Sequence, residues 1–211
     1  MVASRGRERS ISAGLPAPLL LALGALLGLT WAAGLRGLMA EIAGRGTEVT
    51  WSGTFGWILL PGVAVGALLA WAEHVRRSGG RRGWRWLALS PLLFASVLLT
   101  GLDDPTTLLE AGVGGGTIGV PVLGMIGGYA ASSRGPLWGR LAAGALAFSA
   151  IPVWALTATA VGGPELALTR PRGAWVAVYY YSLLAVLALG CSIPHRPLLQ
   201  PSGSESPKEP A

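Results

Sequence analysis

Six apolar stretches alternate with short polar segments along the chain, and each has about the length of a membrane span. A helix that crosses a hydrocarbon core of about 30 Å needs about 20 residues, because each residue adds about 1.5 Å. The pattern therefore predicts an all-α, polytopic bundle of about six transmembrane helices. The stretches run from about Ala13 to Ala33, Phe55 to Ala72, Trp86 to Leu102, about Leu109 to Ala131, Leu141 to Val161 and Ala174 to Ile193.

The two ends of the chain have a different composition from the six stretches. Residues 1–12 are polar and basic, and residues 197–211 are rich in Pro, Ser and Glu. Such segments bury too little apolar surface to offset the entropy of ordering, so we expect both tails to be disordered. Residues 13–196 then form a single six-span domain. The first stretch exceeds the apolar core of a typical signal peptide, and we expect it to be kept as a span.

Charge supports a membrane setting and predicts the orientation. Only 12% of the residues are charged, against about a quarter in soluble domains. Six of the ten acidic residues lie on the side of the bundle opposite to the termini, and twelve of the 16 basic residues lie on the side of the termini. Because positive residues favour the cytoplasm, we predict that both termini are cytoplasmic. The twelve are Arg5, Arg7, Arg9, Arg76, Arg77, Arg81, Arg82, Arg85, Arg134, Arg140, Arg196 and Lys208.

The net charge of +6 and the aromatic residues fit the same topology. The basic residues flank apolar stretches, so we attribute the charge to orientation and expect no nucleic-acid partner. Tryptophans are enriched at membrane interfaces, and eight of the nine lie near predicted span ends, Trp31 among them at an outer end. Trp154, deeper in the fifth span, is the exception.

Small residues at four-residue spacing mark one face of each of the first two spans. Such faces allow helix backbones to approach closely, which is the usual basis of packing between membrane helices. We expect packing within the bundle. The alternative is contact with a second copy or with a partner membrane protein, through Gly24, Gly28, Gly62, Gly66 and Ala70.

The fourth stretch is unusually rich in glycine and contains a proline. Each interior glycine costs a helix about 1 kcal/mol relative to alanine, and proline removes a backbone donor. Broken helices often line transport sites, which makes this stretch the candidate wall of a solute pathway. Close packing is the alternative. The candidate lining residues are Gly114, Gly115, Gly116, Gly119, Pro121 and Gly124.

Acidic residues gather on the predicted outer side. Apolar residues from Leu35 to Ile42 recur at helical spacing, so we expect the first helix to continue past the apolar stretch as an amphipathic extension. One hypothesis is a carboxylate cluster that acts as acid and base or binds a cation. The alternative is helix capping and ion pairing, for example between Glu41 and Arg45. The candidate catalytic residues are Glu41, Asp103, Asp104 and Glu110.

Other chemistry is sparse in this sequence. Glu73 precedes Arg76 and Arg77 by three and four residues, which predicts a surface ion pair at a helix end. The single cysteine excludes an intramolecular disulfide, and two histidines cannot form a three-histidine metal site. No phosphate-binding loop or hydrolase motif is present, so we expect no cofactor and no metal.

A short motif resembles sequences from one known group of proteins. Thr50-Trp51-Ser52-Gly53-Thr54 leads into a glycine-rich second span, with Arg36 and Met39 upstream. This pattern resembles uncharacterised actinobacterial polytopic membrane proteins. The resemblance implies a bacterial plasma membrane and carries no known activity.

The sequence leaves three functional hypotheses. The first is a non-enzymatic small transporter or channel-like protein, based on the broken fourth stretch. The second is an intramembrane enzyme that uses the outer carboxylates. The third is a scaffold or accessory subunit that binds another membrane protein through its small-residue faces.

Overall fold

A computed structural model describes residues 15–44, 48–99 and 118–198 of the chain. Within these ranges the protein is built from helices and turns, with no β-strand, and the predicted all-α bundle is confirmed. A π-helical segment, Trp51–Leu59, runs directly into the second α-helix, and a long 3-10 helix, Trp84–Leu99, follows that α-helix. The α-helices are α1 (Ala17–Ala43), α2 (Leu60–Arg77), α3 (Val120–Ala130), α4 (Leu137–Phe148), α5 (Ala150–Gly162) and α6 (Pro171–Ser192). Short 3-10 turns cover Pro164–Leu166 and Ile193–His195.

Four helical stretches are long and apolar enough to cross a membrane. Only 11% of the most apolar window of Ala17–Ala43 is buried inside the protein, and the same holds for Leu137–Gly162. An apolar helix with so little protein around it requires another apolar solvent. The chain is therefore a membrane protein. The four stretches are Ala17–Ala43, Trp51–Arg77, Leu137–Gly162 and Pro171–His195.

The third and fourth predicted spans are less regular. The 3-10 helix has 16 residues, and at about 2.0 Å per residue it extends over about 32 Å, enough for a hydrocarbon core. Of the fourth stretch, residues 118–131 are described, and its first part lies outside the described residues. Both predicted tails lie outside them too, except residues 197 and 198. The count of six spans and the cytoplasmic termini stay predictions.

α1 is antiparallel to both helices against which it packs most clearly, α2 and α6. α1 and α2 are antiparallel, because Gly24 faces Ala70 while Ala32 faces Gly62. α6 is antiparallel to α1, since Leu38 packs on Val176 whereas the Trp31 indole bonds the carbonyl of Leu183. The start of α1 and the end of α6 therefore lie at the same end of the bundle, here called the inner end. The opposite end is called the outer end.

Two helix boundaries differ from the apolar pattern. α1 continues to Ala43, which confirms the amphipathic extension. Trp31, near the end of the first apolar stretch, is followed by twelve further residues of α1. The fifth span is interrupted at Ser149, between α4 and α5. Pro152 explains this break, because it has no amide hydrogen for the carbonyl of Phe148.

Candidate functional site

The small-residue faces of α1 and α2 pack against each other. A Cβ atom on Gly66 would lie 2.8 Å from the Cα of Gly28, and one on Gly62 would lie 2.8 Å from the carbonyl oxygen of Gly28. Real Cβ atoms do not approach other atoms this closely, so glycine is needed on both helices. Gly24 and Ala70 make the same kind of contact one turn further toward the inner end. These faces therefore pack within the chain, and contact with a second copy or a partner protein stays a prediction.

The outer half of α1 also packs closely on α6. Gly34 allows the Tyr179 side chain to approach, and the Tyr179 hydroxyl donates a hydrogen bond of 2.7 Å to the Gly34 carbonyl. Leu38 and Val176 are buried against each other with residues from α5. At the outer end, Arg172 donates a 2.8 Å hydrogen bond to a backbone carbonyl of α1. These contacts close the outer half of the interface.

The inner half of the same interface is open, and a cleft of about 620 Å³ lies there. This volume is typical of small-molecule sites. On α1 the cleft runs from Leu20 to Trp31, which corresponds to about 16 Å, roughly one leaflet of a bilayer. Its walls come from α1, α2, α6 and the 3-10 helix, and include Leu27, Gly66, Phe94, Val186, Leu187 and Gly190.

Trp31 lies at the end of the cleft that is farthest from the inner end. Its indole N–H donates a 2.8 Å hydrogen bond to the Leu183 carbonyl, and its ring lies 5.4 Å from the ring of Phe94. Both contacts fix the ring across the gap between α1 and α6. Trp31 was not predicted to be a site residue from the sequence. Its spacing in the sequence could have indicated this role, because Trp31 lies seven residues after Gly24 and three after Gly28, and this spacing puts all three on one helix face.

All the polar groups of the cleft already have partners. The Thr30 hydroxyl donates to the Leu26 carbonyl at 2.9 Å, and the Trp31 indole donates to Leu183. The carboxylate of Glu73, at the inner mouth, is bound by two arginines. A polar solute in the cleft would lose its hydration without gaining hydrogen bonds, which is costly. The interior therefore suits an apolar group.

Glu73 is buried, whereas the sequence predicted a surface ion pair. Only 8% of Glu73 is exposed. Arg76 donates to both of its carboxylate oxygens, at 2.7 and 2.8 Å, and Arg77 donates at 2.6 Å. Arg76 also reaches the Pro197 carbonyl at 3.2 Å, which ties the end of α2 to the chain beyond α6. Because two guanidinium groups surround one carboxylate, the mouth of the cleft carries a surplus positive charge.

The described part of the glycine-rich fourth stretch packs against α6. A Cβ atom on Gly124 would lie 2.5 Å from a methyl carbon of Leu187, and one on Gly128 would lie 2.6 Å from the Cβ of Cys191. Pro121 is fully buried in the first turn of α3. Gly119 has open space beside it. The other candidate lining residues, Gly114, Gly115 and Gly116, lie outside the described residues.

The structure describes one of the four candidate carboxylates. Glu41 is half-exposed, and its carboxylate lies 3.7 Å from the guanidinium of Arg172. This pair links α1 to α6, whereas the sequence had suggested Arg45, which lies outside the described residues. Asp103, Asp104 and Glu110 lie outside them as well. Within the described ranges, no three His, Cys, Asp or Glu side chains come close enough to hold a metal.

Comparisons with known proteins add no further constraint. No family model matches the chain, and neither the curated proteins nor the solved structures contain a significant match. The cleft between α1 and α6 is thus the feature from which a function can be inferred.

Proposed function

We propose that this protein is a small membrane transporter for amphiphilic molecules, which enter the cleft sideways from the bilayer. The observation that carries the proposal is the 620 Å³ cleft, whose polar groups are all satisfied internally. Leu27 and Val186, on either side of its opening, are 69% and 55% exposed. The opening therefore faces the lipid, and an acyl chain or similar tail can enter without losing hydration.

The mouth of the cleft suits the polar head of such a molecule. Glu73, Arg76 and Arg77 lie at the inner end, where α2 ends, and 41% of the Arg77 side chain is exposed. The head of an amphiphile would remain at the membrane surface beside Arg77. Its tail would then lie along α1 toward Trp31, over about one leaflet.

We further propose a bacterial plasma membrane, six spans and cytoplasmic termini, which makes the inner leaflet the cytoplasmic one. Reporter fusions test this orientation. Fusions after Arg82, Arg134 and Arg196 are expected to report a cytoplasmic location, and fusions near Glu48, Asp104 and Pro164 an external one. A cytoplasmic signal at Asp104 would contradict six spans, because it would remove the third.

Transport also requires a route from the cleft to the outer side. In this proposal Gly114, Gly115, Gly116 and Gly119 are the candidates for that route, because a glycine-rich stretch can be locally irregular where it lines a cavity. Gly124 and Pro121 would form its packed base, since both are held against neighbouring helices.

Two substitutions on α6 test whether the cleft binds an amphiphile. Val186 lines the cleft, whereas Leu189 does not, and the two are similarly exposed at 55% and 58%. Val186→Trp fills the cleft, and Leu189→Trp adds the same ring to the lipid-facing surface. The readout is radiolabelled palmitate retained by the purified protein after gel filtration.

We expect Val186→Trp to lower palmitate retention about tenfold or more, because a bulky ring removes most of the site. Leu189→Trp is expected to retain palmitate like the unaltered protein. Equal retention by the two variants would mean that palmitate binds the general lipid-facing surface, which would overturn the proposal.

A further inference from the structure

A second cavity lies at the inner end, apart from the cleft between α1 and α6. It has a volume of about 610 Å³ and is formed by the turn after α2, the first residues of the 3-10 helix and the end of α6. Its lining combines basic and apolar side chains. The residues that matter here are Arg81, Arg82, Arg85, Trp86, Leu89 and His195.

The backbone of the turn determines where the arginines lie. Gly79, Gly80 and Gly83 have φ values of 90°, 87° and 79°, which are strained for other residues. The Gly80 amide donates to the Val75 carbonyl at 2.9 Å and closes the turn onto α2. The Trp84 ring is buried against Ala72, Val75 and Ile193 and anchors the start of the 3-10 helix.

The three arginines have no acidic neighbour in the part of the chain that the structure describes. Glu73 is the one described acid at the inner end, and Arg76 and Arg77 already bind it. No other described carboxylate lies within 4.0 Å of Arg81, Arg82 or Arg85. The cavity thus holds three positive charges that an anion would compensate.

Two apolar residues of the cavity lining are exposed on the protein surface. Trp86 is 75% exposed, as expected for a tryptophan at the membrane interface, and Leu89 is exposed beside it. A soluble anion would use the arginines and leave these apolar side chains in contact with lipid. A phospholipid would use both, with its phosphate on the arginines and its acyl chain along Leu89. Basic pockets of this kind between membrane helices bind anionic headgroups.

We infer that this cavity is a binding site for an anionic phospholipid of the inner leaflet, with Arg81, Arg82 and Arg85 around the phosphate. The site is independent of the cleft, because the two share no lining residue. A bound lipid would join the turn after α2 to the 3-10 turn that follows α6, at His195. Binding is electrostatic at the headgroup and weakens as ionic strength rises.

The test measures which lipid the full-length protein retains from detergent micelles, by native mass spectrometry. The probes are phosphatidylglycerol, which is anionic, and phosphatidylcholine, which is zwitterionic, at equal mole fraction. We expect preferential retention of phosphatidylglycerol. Arg85→Gln is expected to lower that retention about fivefold, and Arg82→Gln with Arg85→Gln about 25-fold, since each arginine near a lipid surface contributes a similar factor.

Arg170→Gln is the matched control, because it removes one exposed positive charge just before α6, at the outer end. It is expected to leave the retention of phosphatidylglycerol unchanged. Thermal unfolding of each variant checks that the fold is kept. Equal retention of both lipids, or an equal loss with Arg170→Gln, would overturn the inference.

Two further arms distinguish other occupants of the cavity. Excess inorganic phosphate is expected not to displace phosphatidylglycerol, because phosphate lacks the apolar part. Full displacement would identify a soluble anion as the ligand and overturn the lipid site. A chain that ends at Leu198 is expected to retain as much phosphatidylglycerol as the full chain. A large gain on truncation would show that the tail normally occupies the cavity, which would also overturn it.

Discussion

The outer and inner halves of the interface between α1 and α6 involve the same two helices and yet differ completely. In the outer half, Tyr179 bonds Gly34, Leu38 packs on Val176, and Arg172 bonds the end of α1. In the inner half the helices separate, and a cleft of about 620 Å³ lies between them. Apolar residues occur in both halves, so hydrophobicity does not explain the difference.

Side-chain size and polar contacts explain it better. Lipid tails are as apolar as leucine, so membrane helices gain little from apolar burial alone and associate through close packing and hydrogen bonds. In the outer half, the Tyr179 ring fits over Gly34, and the Tyr179 hydroxyl donates a hydrogen bond to the Gly34 carbonyl. In the inner half, a Cβ atom on Gly190 would meet Leu69 of α2 at 3.2 Å and no atom of α1 within 4 Å. An unfilled gap in a bilayer is available to a lipid tail.

The largest contrast is expected between two leucines of α1. Leu38 is 3% exposed in the closed half, and Leu27 is 69% exposed at the cleft. Leu→Ala in the core of a soluble protein costs about 2–5 kcal/mol, which includes the free energy of transferring the side chain out of water. A membrane helix gains less of this transfer free energy, because lipid is already apolar. We expect Leu38→Ala to lower the free energy of unfolding by about 1–2 kcal/mol, measured by denaturation in mixed micelles. Leu27→Ala should change it by less than about 0.5 kcal/mol. Equal losses would mean that the two halves are equally packed.

The Tyr179 hydroxyl gives a smaller effect. Tyr179→Phe removes the hydrogen bond to Gly34 and keeps the ring, so we expect a loss of about 1 kcal/mol in the same measurement. Tyr181→Phe is the matched control, because that hydroxyl donates to Ile151 from an exposed position. A larger loss for Tyr181→Phe would show that the contact with Gly34 does not hold the outer half together.

Glu41 gives the smallest expected effect on stability. Its ion pair with Arg172 is long, at 3.7 Å, and both side chains are nearly half-exposed. Such pairs contribute about 0–1 kcal/mol and are screened by salt. We expect Glu41→Gln to lower the free energy of unfolding by less than about 0.5 kcal/mol, and the loss to vanish at high salt. Unchanged stability together with altered palmitate uptake into vesicles would instead revive a functional role for this carboxylate.

Much of the fold could be predicted from the sequence, because the bilayer imposes helices of defined length. The spacing of Gly24, Gly28, Gly62 and Gly66 also indicated two packing faces, and the structure places these faces in contact with each other. Irregular elements could not be predicted in this way. The segment Trp84–Leu99 is apolar along most of its length, and such a stretch does not distinguish a 3-10 helix from an α-helix. Pro91 within it is unfavourable to a regular α-helix.

The cleft was much less predictable than the helices. It depends on how far α6 diverges from α1, and no local pattern encodes a distance between two helices about 150 residues apart. The burial of Glu73 was missed for a similar reason, since the Glu-Arg spacing is the same for exposed and buried pairs. The acidic cluster and the glycine-rich pathway stay predictions, because three of the four carboxylates and three of the six candidate lining residues lie outside the described ranges.

Photolabelling tests the central claim, that the inner half of the interface holds the tail of an amphiphile. The probe is palmitate with a photoactivatable diazirine in mid-chain, incorporated into vesicles that contain the full-length protein. Peptide mapping should find label concentrated around Leu27 and Val186, and little around Leu156, which is more exposed at 81% but lies outside the cleft. Val186→Trp should abolish that concentration. Label distributed according to exposure alone, with Leu156 labelled most, would contradict the account.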